Sequence, residues 1–248
     1  MIRFEKVTKS FKDQLVLNEL DLDIAEGKTT VIVGRSGGGK SVLLKHAIGL
    51  IKPDSGEIFI DGKPTTKLGE FAHNELRKIF GMLFQEAALF DSMTVFENVA
   101  FPLREHTRKS AAEIATIVKE RLNAVGLVRV DKKMPSELSG GMRKRVGLAR
   151  ALVLNPRIVL FDEPTTGLDP IMTKAINSLI IDTQRHFNLT CVVISHDVES
   201  IFEIGDDIAL LYDGKIVEHS DTFSMRNSTN PLVKQFFSGS QEGPIQII

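Results

Sequence analysis

The sequence predicts an α/β fold, a parallel sheet buried on both faces with an antiparallel β lobe ahead of it, and three observations carry that expectation. Thr30-Val31-Ile32-Val33, Ile158-Val159-Leu160-Phe161 and Cys191-Val192-Val193-Ile194 are short, uninterrupted apolar runs, as strands covered by helices on both sides require. Near the N-terminus the pattern is different. Leu20, Leu22 and Ile24 interleave with Asp21, Asp23 and Ala25, the period-two signature of a half-buried antiparallel sheet. Helical periodicity falls between the apolar runs, at Val42 to Leu50, Ala111 to Val125 closed by Gly126, Met142 to Leu154 stopped before Pro156, and Ile171 to Phe187.

A chain of 248 residues accommodates one sizeable α/β domain with a full core. Its 31 Lys and Arg nearly cancel its 32 Asp and Glu, so no global field draws it to nucleic acid or an anionic membrane. The opening Met1-Ile2-Arg3-Phe4-Glu5 lacks the apolar core of a signal peptide, and no apolar run approaches a membrane span, so a soluble protein is expected. The single cysteine, Cys191, excludes an internal disulfide and reads as a buried core residue. Asp213-Gly214 separates two apolar stretches and predicts a late hairpin. Ser238-Gly239-Ser240-Gln241-Glu242-Gly243-Pro244 is too polar and flexible to pack alone, and residues 239–248 are expected to form a flexible tail.

Gly34-Arg35-Ser36-Gly37-Gly38-Gly39-Lys40-Ser41 matches G-x-x-x-x-G-K-[ST] and lies directly after a buried strand and before the helix that opens at Val42. Glycines let successive backbone N–H groups turn toward a phosphate, and the helix adds its positive end. Lys40 supplies a point charge to the β and γ phosphates, and Ser41 a hydroxyl ligand to Mg²⁺. At the end of a second buried strand stand Asp162 and Glu163, where a parallel sheet places its ligands. Alone, the pair would read as an ordinary acidic strand-to-loop transition. Behind a phosphate loop, Asp162 reads as a direct or indirect partner of Mg²⁺ and Glu163 as the general base facing water.

Leu138-Ser139-Gly140-Gly141-Met142 resembles the signature motif of ATP-binding cassette ATPases, and the remaining family motifs follow in order from residue 3 to about 220. Ser139 also makes independent sense as a helix cap. The resemblance implies a RecA-like core, a helical subdomain inserted at about 86–155, and one cassette over 1–238. It also implies ATP hydrolysis with Mg²⁺ in a head-to-tail dimer, where Ser139, Gly140 and Gly141 of one copy close over the nucleotide on the phosphate loop of the other. Gln85 resembles the glutamine that contacts Mg²⁺, and Asp169 lies in the loop that links the two sites. His196 resembles the histidine that hydrogen-bonds the γ-phosphate, and Phe11 the aromatic that stacks on adenine; a core Phe is the alternative. Met142 stands where the family usually has glutamine. The basic triplet Arg143-Lys144-Arg145 reads as a solvated helix face, and no nucleic-acid partner is expected.

Among function classes, a transporter subunit outranks a soluble cassette of DNA repair or translation and a small-molecule kinase. The run from Met82 to His106, together with Met142, resembles the ATPases of Mla-type phospholipid transporters. A cassette of a small-solute, amino-acid-type importer is the alternative. The resemblance implies a permease, a membrane-anchored lipid-binding subunit and a small cytoplasmic regulatory subunit as partners, and a place on the cytoplasmic face of the inner membrane. Leu89, Phe90, Met93, Val95 and Phe96 read either as a dock for the permease or as helical-lobe core.

Overall fold

The structure, a computed structural model, describes residues 1–246. In chain order the elements run β1 (Ile2–Phe11), β2 (Gln14–Ile24), β3 (Thr29–Gly34), α1 (Lys40–Ala47), β4 (Ser55–Ile60), β5 (Lys63–Pro64), α2 (Glu70–Arg77), β6 (Phe80–Leu83), α3 (Val95–His106) and α4 (Ala111–Ala124). They continue with α5 (Gly140–Leu152), β7 (Ile158–Asp162), α6 (Pro170–Phe187), β8 (Thr190–Ile194), α7 (Val198–Ile204), β9 (Asp207–Tyr212), β10 (Lys215–Asp221), α8 (Thr222–Arg226) and α9 (Pro231–Ser238). Two compact units result, one from Met1–Asn74 with the chain from Val192 onward, the other from Glu75–Cys191, so the boundary falls within β8.

In the first unit, β1, β2, β4 and β5 make an antiparallel sheet in the order β2-β1-β4-β5, with Ile2 opposite both Ile24 and Ile60. Leu20, Leu22 and Ile24 are buried and Asp21 and Asp23 exposed, as the alternation requires. β3 runs parallel to β9, Val31 beside Ile208, and β10 returns antiparallel through the Asp213-Gly214 turn. All six residues of β3 are buried, Thr29 and Thr30 along with the apolar Val31, Ile32 and Val33. Asn18 N–H donates to the Gly214 carbonyl at 2.9 Å, so the β9–β10 turn packs against β2. α9 ends the unit with Gln235 buried; its Oε1 accepts from Ile245 N–H at 2.6 Å, and its Nε2 donates to the Ser240 and Ile245 carbonyls.

In the second unit β6 runs parallel to β7, Met82 beside Leu160, and α5 packs on β6 while α3 and α4 pack on α5. The helix boundaries lie within two residues of the sequence periodicity for α4 and α6. α3 is absent from that periodic reading although its start was encoded: Thr94 accepts from Glu97 N–H and Glu97 returns the bond to Thr94 N–H, a capping box. Arg143-Lys144-Arg145 departs from the expected solvated face. Arg143 alone of the three is exposed, because consecutive helical positions turn by about 100° each and cannot share one face. Cys191 is buried, as expected of a core residue.

His46 on α1 is 1% exposed, with Nδ1–H donating to the Val42 carbonyl at 2.8 Å and Nε2 buried outside hydrogen-bonding geometry with any described residue. Burial lowers its pKa, opposed by that carbonyl and by Asp54 and reinforced by Lys9; His219 is lowered by burial as well. The unfolded chain therefore binds protons near pH 6.5 that the folded one refuses, so stability is complete above that pH and declines as pH falls toward the folded value. The urea midpoint should drop between pH 7.5 and 5.5, above the range where carboxylates titrate, and His46→Leu should flatten part of that drop, leaving the share of His219.

Candidate nucleotide site

In the first unit the phosphate loop leaves β3 at Gly34, where φ is 153° and a Cβ would collide with the Leu211 carbonyl oxygen. The loop enters α1 at Gly39, where φ is 97°. No side chain caps α1 there, which is the condition under which a helix N-terminus receives an anion. Lys40 is 7% exposed, and its Nζ folds back to donate to the Gly34 and Arg35 carbonyls at 2.8 Å each. Ser36, Gly37 and Ser41 are exposed, Gly38 and Val42 half-buried. A cavity of about 370 Å³ adjoins the loop, walled by Arg35 to Gly38, Gln14 to Val16 and Leu211 to Gly214.

Phe11 pairs with Gln14 at the mouth of the β1–β2 hairpin, beside that wall. It is 43% exposed, which removes the core alternative, and the Lys9 ammonium lies 5.5 Å from its ring centroid. His196 follows β8 in an exposed loop, one residue before Asp197, which caps α7 by accepting from Ser200 N–H at 3.1 Å. The structure thus brings Gly34, Ser36, Gly37, Gly38, Gly39, Lys40 and Ser41 into one loop.

In the second unit, Asp162 ends β7 and both it and Glu163 are half-buried. Glu163 has φ 49°, a left-handed conformation that costs a non-glycine residue about 1–3 kcal/mol and persists only where surroundings enforce it. Three bonds enforce it. Thr166 Oγ1 donates to Glu163 Oε2 at 3.0 Å, Thr166 N–H to the Glu163 carbonyl at 3.3 Å, and Lys144 Nζ to the same carbonyl at 3.3 Å. Burial pushes the Lys144 ammonium below the usual lysine range, with Glu86 and Glu163 opposing the shift.

Ser139 is exposed and caps α5, accepting from Met142 N–H at 3.3 Å; Gly140 is half-buried and Gly141 buried, where a Cβ would strike the Met172 thioether. Asp169 caps α6, accepting from Met172 N–H at 2.9 Å. Gln85 is exposed in the loop after β6. Two residues on, Ala87 and Ala88 both adopt positive φ, 59° and 45°, and Arg150 of α5 donates to both carbonyls at 2.7 and 2.8 Å. Asn98, fully buried, accepts from Phe90 N–H and donates to the carbonyls of Phe90, Met93 and Thr94. Lys144, Arg150, Asn98 and Thr166 escaped the sequence reading, since a cation or amide serving a distant carbonyl has no local pattern. A groove of about 310 Å³ lies against this loop, lined by Phe80, Phe84, Phe90, Phe101 and Pro102 among others. Of the apolar residues expected there, Phe90 is exposed and Leu89, Met93 and Phe96 half-buried; Val95 is fully buried as the first residue of α3.

The residues present suit Mg²⁺ as a guest bound mainly through a ligand's phosphates. The Ser41 hydroxyl in the first unit and the Asp162 carboxylate in the second are each hard oxygen donors of the kind Mg²⁺ takes, and no cluster of three or more His, Cys, Asp or Glu able to hold a metal occurs among the described residues.

A family model described as ABC transporter matches residues 17–166. The chain is 44% identical over 244 residues to the "probable ribonucleotide transport ATP-binding protein mkl" of Mycobacterium leprae, covering 98% of this chain and 70% of that one. It is 42% identical over 246 residues to the "intermembrane phospholipid transport system ATP-binding protein MlaF" of Haemophilus influenzae, covering 99% of this chain and 93% of that one. Its fold matches the dimeric post-hydrolysis structure of the ATP-binding cassette MJ0796 bound to ADP and Pi with a TM-score of 0.82, at 33% identity over 90% of this chain and 99% of that one.

The fork of Arg150 is the side-chain restraint on the carbonyls of the left-handed pair Ala87-Ala88, beside the bond from Ala87 N–H to the Phe84 carbonyl at 2.8 Å. Arg150→Met should therefore raise amide exchange across residues 85–93 by about tenfold or more while leaving β7 protected, read by hydrogen-exchange mass spectrometry.

Proposed function

Because the chain belongs to the ABC transporter family, we propose that this ATP-hydrolysing cassette drives transfer of phospholipid between two membranes. That it binds and hydrolyses ATP follows from the family. The cargo reading is supported by one observation above all: the likeness to the phospholipid-system ATPase runs end to end, 99% of this chain against 93% of that one.

In this reading residues 1–238 form one cassette, with 86–155 as its helical subdomain. Lys40 and the N–H groups of Gly34 to Ser41 take the phosphates; Ser41, Gln85 and Asp162 hold Mg²⁺, with Val42 behind them on α1; and Phe11 stacks on adenine. Mg²⁺, when bound, neutralises charge developing on the phosphate oxygens. Glu163 accepts the proton of the attacking water, and His196 hydrogen-bonds the γ-phosphate. Ser139, Gly140 and Gly141 serve the nucleotide of a second copy, and Asp169 belongs to the dimer contact; a precedent is the MJ0796 cassette, which is dimeric with ADP and Pi bound.

A permease is proposed to dock at the apolar groove by Phe84 and Phe90, placing the chain on the cytoplasmic face of the inner membrane. No helix of the described residues is long and apolar enough to cross a membrane. A membrane-anchored lipid-binding subunit and a small regulatory subunit complete the proposed assembly. The mycobacterial relative's name favours a second reading, a cassette moving ribonucleotide or another small polar solute.

Lys40→Ala should lose nucleotide binding, since Lys40 is the cation that this motif aims at the β and γ phosphates, whereas Glu163→Gln should bind Mg·ATP, lose at least about 100-fold in turnover and accumulate a dimer. Light scattering with and without ATP and a phosphate-release assay read both, and wild-type turnover in either variant overturns the site. The cassette purified from membranes should bring a multi-span permease with phospholipid detectable by mass spectrometry. ATPase stimulated by a polar solute through a soluble receptor, and indifferent to lipid, would establish the second reading instead.

A further inference from the structure

We propose that Lys144 is a positioning residue for Glu163: its buried ammonium, carried on α5, holds the turn after β7 in the backbone conformation that sets the direction of the carboxylate. This deepens the proposed function and rests on its assignment of Glu163 as the base.

The strand cannot do this work itself, because β7 ends at Asp162 and the next residue already has φ 49°. A reversal that tight turns the carbonyls of Glu163 and Thr166 toward the same neighbour. Lys144 Nζ meets both, at 3.3 and 3.1 Å, from a side chain only 6% exposed. An ammonium suits the place. It has three donors on a flexible stem, and two carbonyl dipoles repay part of what burying the charge costs. Thr166 closes the turn from the other side by donating to Glu163 Oε2, so backbone and carboxylate are fixed by groups attached to each other. A lysine kept for packing alone would have needed no such acceptors, and an apolar chain of equal length would fill the volume without the desolvation. α5 starts at Ser139-Gly140-Gly141, so Lys144 also ties the residue that sets the base to the helix that begins at the second phosphate-facing motif.

The test is ATP hydrolysis by the full chain in four single variants and one double: Lys144→Met, which keeps length and loses the donors; Lys144→Arg, which restores them; Thr166→Val; Glu163→Gln as reference; and Lys144→Met combined with Glu163→Gln. Lys144→Met should lower kcat by about 10- to 100-fold, the scale of a displaced catalytic group, with KM for Mg·ATP changed by less than about threefold. Lys144→Arg should recover at least about tenfold of that loss. In the Glu163→Gln background Lys144→Met should add nothing, since the group it positions is gone. If Lys144→Met keeps its kcat within about twofold while Glu163→Gln is inactive, the positioning role is wrong and the base assignment stands. If Glu163→Gln itself turns over normally, the base assignment falls and this inference with it. Equal losses in kcat and in ATP affinity, unrepaired by arginine, would assign Lys144 to general stability and overturn the proposal. Should circular dichroism show Lys144→Met unfolded, Thr166→Val decides: a selective kcat loss supports the positioned turn, and an unchanged kcat refutes it.

Discussion

Left-handed backbone in the turns that follow three strands is the constraint on which the candidate site residues of each unit depend. The chain must turn sharply off each strand to present polar groups at its end, where α/β sheets place their ligands. After β3 glycine meets the demand: Gly34 and Gly39 take positive φ without side-chain strain, and Gly34 alone fits beneath the Leu211 carbonyl. After β7 and β6 the residues are Glu163 and the pair Ala87-Ala88, which reach the same region of backbone space only under restraint. The proposed role of Glu163 as the base accounts for the first choice, since glycine would fold more cheaply there but carries no carboxylate.

One helix supplies the restraint at both non-glycine turns. α5 sends Lys144 to the carbonyls of Glu163 and Thr166, and Arg150 to those of Ala87 and Ala88. Between them Gly147 lets the helix approach β6 closely; a Cβ there would lie 2.7 Å from Leu83 Cδ1 and 3.1 Å from Ala87 Cβ. Both cations are desolvated, which lowers the pKa of each, and both are retained because bent backbone offers concentrated acceptors. Mutual dependence follows: the turns need the cations to hold their shape, and the cations need the turns to be buried at tolerable cost. The helix that opens at Ser139-Gly140-Gly141 is therefore mechanically bound to the turn at Glu163 and to the loop bearing Gln85.

Much of this was legible in one dimension. The buried strands β3, β7 and β8 are unbroken apolar runs, β2 alternates, the phosphate loop has fixed spacing, and Ser139 precedes its helix as a cap must. Each of these signals is local, a matter of period or of neighbours within one turn. The start of α3 was equally local, in Thr94 and Glu97, although Val95 beside it read as either dock or core until its burial placed it in the core. Phe11 could not be placed by type, because a phenylalanine at a strand end is compatible with core or rim; its exposure decided that.

The sequence by itself determined which atoms are available for chemistry: the glycine loop with Lys40 and Ser41, the acids Asp162 and Glu163, and the capped helix at Ser139. Only the tertiary structure decided which side chains hold those atoms still. Lys144 sits in a triplet that read as a solvated face and Arg150 in a helical stretch that gave it no role, and the bonds of both reach carbonyls 19 to 63 residues away in the chain. A backbone carbonyl is the same in every residue, so no sequence pattern marks the acceptor that a buried cation will find. Folding alone brings the two together.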